Sequence, residues 1–151
     1  MNLRKKIALG LLAVLVLIQL VPVDRSVPEY EPNQTLVELT KAPESIQTIL
    51  KNACNDCHSY DTNYPWYSKI APVSWWIQDH IKEGRSHLNF SIWGSYKQKK
   101  AAHKMEECAE EVGEGKMPMN NYTWMHSEAK LSDAQLSELI TWFETQEKLM
   151  K

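Results

Sequence analysis

Residues 54–58 read Cys-Asn-Asp-Cys-His, and this pentapeptide decides how the rest of the chain is interpreted. The pattern C-x-x-C-H is the attachment signature of c-type haem. Cys54 and Cys57 are spaced to form thioethers with the two vinyl groups of one porphyrin, and the adjacent His58 is placed to coordinate the iron. We therefore predict one covalent haem c, held by Cys54 and Cys57, with His58 as the proximal ligand.

A helix is predicted immediately before the pentapeptide. It begins near Pro43, because a proline in the first helical turn removes no hydrogen bond. Its apolar side chains recur at i, i+3, i+4 and i+7 and are Ile46, Ile49, Leu50 and Ala53. This spacing gives the helix one apolar face and predicts that the thiols emerge from its last turn.

Three more helices are predicted downstream, and no segment alternates apolar and polar residues as a strand would. The first two cover about residues 74–83, ended by Gly84, and about residues 95–112. The C-terminal helix opens with a capping box, in which Ser132 is the N-cap and Gln135 follows three positions later. The predicted fold class is all-α.

The first 23 residues predict a membrane anchor or a signal segment. Basic residues at positions 4–6 precede an apolar run at positions 7–23. No small-x-small cleavage pattern ends the run, which favours an uncleaved transmembrane helix over a removed signal peptide. The positive-inside rule then predicts a single-pass protein of the cytoplasmic membrane, with its C-terminal domain in the periplasm or extracytoplasmic space.

The remaining residues are predicted to form a tether and one small domain. Residues 24–43 hold three prolines among polar residues and are expected to be an extended tether, and residues 44–148 are expected to be the haem-binding domain. All 19 acidic residues but only 14 of the 17 basic residues follow Val23, which leaves that part with a formal charge of −5. A nucleic-acid partner is therefore not expected, because it would require a basic surface.

The second axial position of the iron is expected to be filled from the segment Gly115-Lys-Met117-Pro-Met119. A thioether ligand raises the reduction potential of a haem, whereas a second histidine gives a lower one. Met117 is the first choice, because Pro118 restricts the residue before it to an extended conformation.

The order of these features resembles that of a monohaem class I cytochrome c domain. More narrowly, several aromatic motifs over residues 40–148 resemble the small haem-binding domain family of membrane-anchored bacterial proteins, namely residues 64–68, 71–76, 84–85, 88–91 and 122–126. The resemblance implies a cytochrome c-like helical domain around one covalent haem, but no established reaction. It also makes His126 the alternative distal ligand. Met119 and Met125 lie within the same ten residues and are further candidates to approach the iron.

Four other residues are candidates for lesser roles. Arg85, Tyr67 and Trp76 are candidates to contact the haem or to hydrogen-bond its propionates. Cys108 is expected to be a buried free thiol that behaves as a small hydrophobe.

Three functions follow from this pattern. The first is a membrane-tethered one-electron carrier, which would require a redox partner protein. The second is a haem-based sensor that binds a small gaseous ligand at a weakly held distal position. A peroxidase-like enzyme is the least favoured of the haem functions, because only His126 could supply an acid–base group. A non-haem alternative is a zinc module built from Cys54, Cys57, Cys108 and a histidine.

Overall fold

The computed structural model describes residues 2–151, and all regular structure in that range is helical. The α-helices, in chain order, are α1 (Leu3–Leu17), α2 (Leu36–Thr40), α3 (Glu44–Ala53), α4 (Asn55–His58), α5 (Val73–His87), α6 (Gln98–Gly113), α7 (Asn120–Met125) and α8 (Asp133–Leu149). Short 3₁₀ turns lie between them, at Ile18–Leu20, Pro32–Gln34, Trp66–Lys69, Phe90–Ser95 and Ser127–Ala129. The predicted all-α class is confirmed.

The prediction of a transmembrane helix is wrong. Within residues 2–151, every helix is too short or too polar to cross a membrane. The apolar helix α1 has 15 residues, about 22 Å at 1.5 Å per residue, against a hydrocarbon core of about 30 Å. The helix ends because Ile18–Leu20 tightens into a 3₁₀ turn, where the side chain of Gln19 bonds to the backbone of Ala71. The predicted single-pass topology and its localisation are contradicted by the same finding.

The core forms where α6 packs along α8 and α3 packs against α8. Each helix contributes one apolar face, which includes Leu50 from α3, Met105 from α6, and Leu139 and Phe143 from α8. These side chains are at most 2% exposed. The predicted capping box at Ser132 and Gln135 is present and fixes where α8 begins.

Part of the predicted tether contributes to the core. Helix α2 lies inside residues 24–43, and its Leu36 is completely buried. The chain before it also contacts the domain, since the Tyr30 hydroxyl donates to the Asp61 carboxylate at 2.8 Å and the Arg25 guanidinium lies 4.4 Å from the Tyr64 ring centroid. The prolines of this segment shape a surface arm that is held along the domain.

Helix α5 is longer than predicted. It runs from Val73 to His87, so Gly84 lies inside the helix and does not terminate it. The two tryptophans near its start, Trp75 and Trp76, are 36% and 51% exposed, whereas Ile81 is buried. The prediction that Gly84 ends the helix is therefore wrong. A glycine stands at this position because α5 packs closely against Cys57 there.

Candidate haem-binding site

The two thiols are presented by a break in the helix, followed by a single new turn. Helix α3 ends at Cys54, whose φ of −128° is not helical. The Cys54 carbonyl then accepts hydrogen bonds from the Cys57 amide at 3.2 Å and the His58 amide at 2.9 Å, which forms α4. Both thiols are free and partly buried. The pentapeptide is thus a compact turn that presents Cys54, Cys57 and His58 at its surface.

The His58 ring is held in the orientation that a metal ligand requires. Its Nδ1 lies 3.1 Å from the carbonyl oxygen of Leu88. A carbonyl can only accept, so Nδ1 carries the hydrogen, and in the neutral ring Nε2 keeps its lone pair. Burial lowers the pKa of His58, which favours this neutral form. The ring also lies near Phe90, with a centroid distance of 6.0 Å.

Helix α5 approaches the pentapeptide as closely as its backbone allows. A Cβ atom at Gly84 would lie 2.8 Å from the carbonyl oxygen of Cys57 and 3.3 Å from its Cβ. Only a residue without a side chain fits at this contact. The close approach is what brings the end of α5, and with it the Leu88 carbonyl, to His58.

Arg85 anchors the loop that follows the pentapeptide. Its Nε donates to the carbonyl of Ser59 at 2.8 Å, and one Nη donates to the hydroxyl of Thr62 at 2.9 Å. Its guanidinium also lies over the Tyr60 ring, 5.2 Å from the centroid. In the structure, then, Arg85 already has protein partners for two of its donor groups.

The two thiols are protonated at neutral pH. Burial raises the pKa of the Cys54 thiol to about 12. Burial also raises the pKa of Cys57 to about 11, and the negative charge of Asp56 adds to this effect. Neutral thiols carry the hydrogen that addition to a vinyl group requires, and they are poor spontaneous nucleophiles.

Three side chains, Tyr67, Tyr122 and His126, form a cluster that we call the aromatic clamp. The Tyr122 hydroxyl donates to the Asp56 carboxylate at 2.8 Å, inside the pentapeptide, and the Tyr122 ring stacks on His126 at 4.3 Å. His126 Nε2 lies 2.7 Å from the Tyr67 hydroxyl, and its Nδ1 lies 3.2 Å from a carboxylate oxygen of Glu128. Both nitrogens of His126 therefore have protein partners.

The hydrogen-bond directions in the clamp follow from its chemistry. The Glu128 carboxylate only accepts, so Nδ1 of His126 donates to it, and in the neutral ring Nε2 accepts from the Tyr67 hydroxyl. Burial and the Asp56 carboxylate together raise the pKa of Tyr122 far above its usual range. Burial, followed by the charges of Asp56 and Glu128, raises the pKa of Tyr67. Both phenols therefore remain hydrogen-bond donors at neutral pH.

The methionines of the 117–125 segment differ in burial. Met117 is partly buried and packs on the hydrophobic core, as Cys54 does. Its backbone is held in place, because the Met117 amide donates to the Glu111 carbonyl of α6 at 3.1 Å. Met119 is partly buried and precedes α7, whereas Met125 is 53% exposed. Of the three, Met117 is the one tied to the core.

The predicted contact residues do not form one group. Tyr67 belongs to the aromatic clamp and Arg85 to the loop anchor, whereas Trp76 is half exposed and packs on His80, with a centroid distance of 4.4 Å. Sequence reasoning assigned no role to Asp56 or to the Leu88 carbonyl. The available signal was the set of motifs at 84–85, 88–91 and 122–126, which supply Gly84, Leu88 and Tyr122.

The zinc alternative lacks a set of convergent ligands. Among residues 2–151, no group of three or more His, Cys, Asp or Glu side chains is arranged to hold a metal ion. Cys54, Cys57 and Cys108 are all free thiols. The pentapeptide offers two free thiols and one oriented imidazole, the donor set that a covalently attached haem would use.

Comparison with protein families gives one result for this chain. The model of the haem-binding domain matches residues 13–145. The chain belongs to the haem-binding domain family. No curated protein and no solved structure matches it. The match supports haem as the cofactor of this haem-binding domain protein, and it spans all of the contacts described above.

Proposed function

We propose that this haem-binding domain holds one haem c covalently through Cys54 and Cys57, with His58 Nε2 as the proximal iron ligand, and that it carries single electrons. The observation that carries the proposal is the 3.1 Å contact between His58 Nδ1 and the Leu88 carbonyl, which leaves Nε2 as the ligating atom. When bound, haem supplies a one-electron Fe(III)/Fe(II) couple.

The two thiols are unpaired and keep the hydrogens that thioether formation would transfer to the vinyl groups. If haem is bound, each thiol would add its sulfur and its hydrogen across one vinyl double bond, a step that needs no external oxidant. Cys54 and Cys57 are free and protonated, and they lie on one helical turn. Their raised pKa values make an attachment enzyme a reasonable requirement, because the reactive thiolate is scarce at neutral pH.

Met117 is supported as the distal ligand over His126. Both ring nitrogens of His126 are engaged, by Tyr67 and Glu128, so ligation by His126 would break at least one of these contacts. Met117 has a thioether without competing protonation, and its backbone is held by α6. With two protein ligands, the coordination of the iron would be the same in both oxidation states, which suits an electron carrier.

The haem proposal is tested on the full chain, expressed in a host that attaches haem to C-x-x-C-H sequences. Haem that remains on the polypeptide in a denaturing gel is expected for the wild type and for Cys108→Ala, and it is expected to be lost from the Cys54→Ala, Cys57→Ala double variant. No haem on the wild-type polypeptide would contradict covalent attachment.

The ligand and carrier proposals are tested by visible spectroscopy of the same samples. We expect sharp low-spin bands in the reduced form and a weak far-red band in the oxidised form, which Met117→Ala loses and Met125→Ala keeps. A high-spin wild-type spectrum that changes on adding carbon monoxide would instead identify a ligand-binding sensor.

A further inference from the structure

The aromatic clamp links the segment that carries Met117 to the pentapeptide that carries His58. Helix α7 begins two residues after Pro118, and the Met119 carbonyl accepts from the amides of Tyr122 and Thr123, each at 3.0 Å. Met117 is therefore separated from a helix by only two residues. The position of α7 therefore fixes the C-terminal end of the short segment that carries Met117.

The other end of the Met117 segment is also fixed. The amides of Lys116 and Met117 both donate to the Glu111 carbonyl, at 2.9 and 3.1 Å, which ties them to the end of α6. The segment thus bridges α6 and α7. The place of the Met117 segment relative to the pentapeptide therefore depends on the contacts that hold α7 against the pentapeptide.

Side-chain contacts of the clamp hold α7 in place. Tyr122 reaches Asp56, which lies between the two haem-binding cysteines, and the second oxygen of Asp56 accepts from the Asn63 amide at 2.8 Å. At the C-terminal end of α7, His126 bonds to Tyr67 from the 3₁₀ turn before α5. These two contacts lie four residues apart on α7, on the same side of the helix, where Tyr122 and His126 stack.

We infer that Tyr122 and His126 are positioning residues, whose contacts with Asp56 and Tyr67 hold the Met117 segment closed over the side of the domain that carries His58. This inference rests on the proposed function for the identity of the distal ligand. It gives His126 a role that excludes iron ligation. Without the clamp, the Met117 segment opens as a unit about its anchor at Glu111, and an exogenous ligand can reach the distal position.

The first test uses the full chain without haem. Tyr122→Phe and Tyr67→Phe each remove one hydroxyl and keep the ring, and Tyr64→Phe is the matched control, because its hydroxyl bonds to Gln78 outside the clamp. Amide hydrogen exchange over residues 117–126 is expected to become about tenfold faster in the two clamp variants, the equivalent of one hydrogen bond, and to stay unchanged in the control. Unchanged exchange in both clamp variants would overturn the inference.

The second test uses the haem-loaded chain and separates positioning from ligation. In Tyr122→Phe, with the haem content of each sample determined by gel staining, we expect a carbon monoxide affinity per haem about tenfold higher than that of the wild type in the reduced form. Tyr67→Phe and His126→Phe both remove the hydrogen bond between Tyr67 and His126, so each should raise the affinity for carbon monoxide, and the double variant Tyr67→Phe, His126→Phe should add little to His126→Phe alone. His126→Phe also loses the contact with the exposed Glu128, so its effect should be at least as large as that of Tyr67→Phe. A wild-type affinity in Tyr122→Phe, or a complete loss of the low-spin spectrum in His126→Phe alone, would overturn the inference.

The two proposals fail in different ways. If the wild type carries no covalent haem, the proposed function fails, but the exchange measurement on the haem-free chain still tests the clamp. If haem is bound and low-spin while exchange and carbon monoxide affinity ignore the clamp variants, the positioning role fails alone.

Discussion

At the scale of single residues, the orientation of His58 depends on one backbone contact. A neutral imidazole offers one donor and one acceptor, and the Leu88 carbonyl fixes which nitrogen is which. Gly84 makes this contact reachable, because any larger residue would push α5 away from Cys57. The orientation of the His58 ring thus depends on a residue with no side chain.

Replacing Gly84 tests this dependence. In Gly84→Ala the added methyl group would meet the backbone of Cys57, which cannot move as a side chain can, so we expect a loss of about 1–3 kcal/mol in the free energy of unfolding. The yield of covalent haem should fall as well. Chemical denaturation of the haem-free chain and haem-stained gels measure the two effects.

Gly113→Ala is the matched control for that substitution. Its new Cβ would lie 3.7 Å from the nearest atom, Cδ1 of Ile140, which is an ordinary contact. We expect unchanged stability, or a gain of up to about 1 kcal/mol from helix propensity. Equal effects of the two substitutions would mean that the close approach at Gly84 is not needed.

Cys108 predicts a pH dependence of stability. Burial, followed by the nearby Cys54 and Glu107, raises its pKa above the ordinary value of 9.0. Below pH 9 both folded and unfolded states keep the proton; above it the unfolded state loses the proton first, so stability falls as pH rises. We expect the haem-free wild type to lose more stability between pH 9 and 11 than Cys108→Ala, by up to about 1.4 kcal/mol per pH unit. Parallel curves by urea denaturation would contradict a raised pKa.

At the scale of elements, α5 connects most of the site. Its Gly84 packs against Cys57, and its Arg85 binds the loop that follows the pentapeptide. Just past its end, the Leu88 carbonyl accepts from His58. Helix α7 also contacts the pentapeptide, because its Tyr122 donates to Asp56. The pentapeptide is therefore held by two helices that are far from it in sequence.

The start of α8 gives a prediction for one element. The Ser132 hydroxyl accepts from the Gln135 amide, and the Gln135 side chain accepts from the Ser132 amide. Ser132→Ala should lower the free energy of unfolding by about 1 kcal/mol. Ser137→Ala, an exposed position inside the same helix, should be neutral or slightly stabilising. Urea denaturation of both variants decides the point, and equal stabilities would contradict a role for the capping box.

At the scale of the whole molecule, residues 19–31, which we call the N-terminal arm, bind to the surface of the domain. The amide of Gln19 pairs with the backbone of Ala71, donating to its carbonyl at 3.0 Å and accepting from its N–H at 2.9 Å. Trp75 donates to the Val21 carbonyl at 3.4 Å, and Tyr30 reaches Asp61. The arm therefore runs along the segment between the pentapeptide and α5.

Releasing the start of this arm is expected to loosen it locally. Gln19→Ala removes both bonds to Ala71, so limited proteolysis within residues 20–31 should become about fivefold to tenfold faster, while the midpoint of global unfolding changes little. Glu29→Ala alters an exposed residue of the same arm and should leave the cleavage rate unchanged. Equal cleavage rates in Gln19→Ala and the wild type would show that the pairing with Ala71 does not hold the arm.

The amino-acid sequence by itself determined the local features. Apolar periodicity located α3, the capping box located α8, and the pentapeptide predicted a haem cofactor, because each of these signals lies within about ten consecutive residues. The attachment of haem to Cys54 and Cys57 stays a prediction. The same local reasoning failed for the apolar N-terminus, where composition predicted a transmembrane helix. There Gln19 meets Ala71, 52 positions away, and the helix ends.

Only the tertiary structure decided what surrounds the donors. The partner of His58 is a backbone carbonyl 30 residues away, and the partner of Asp56 is a hydroxyl 66 residues away. Every residue has a backbone carbonyl, so the sequence does not show which carbonyl binds a side chain. The identity of a tyrosine likewise does not show whether it packs in a core or donates to a carboxylate. The tautomer of His58 and the hydrogen bonds of both His126 nitrogens depend on contacts that exist only in the folded chain.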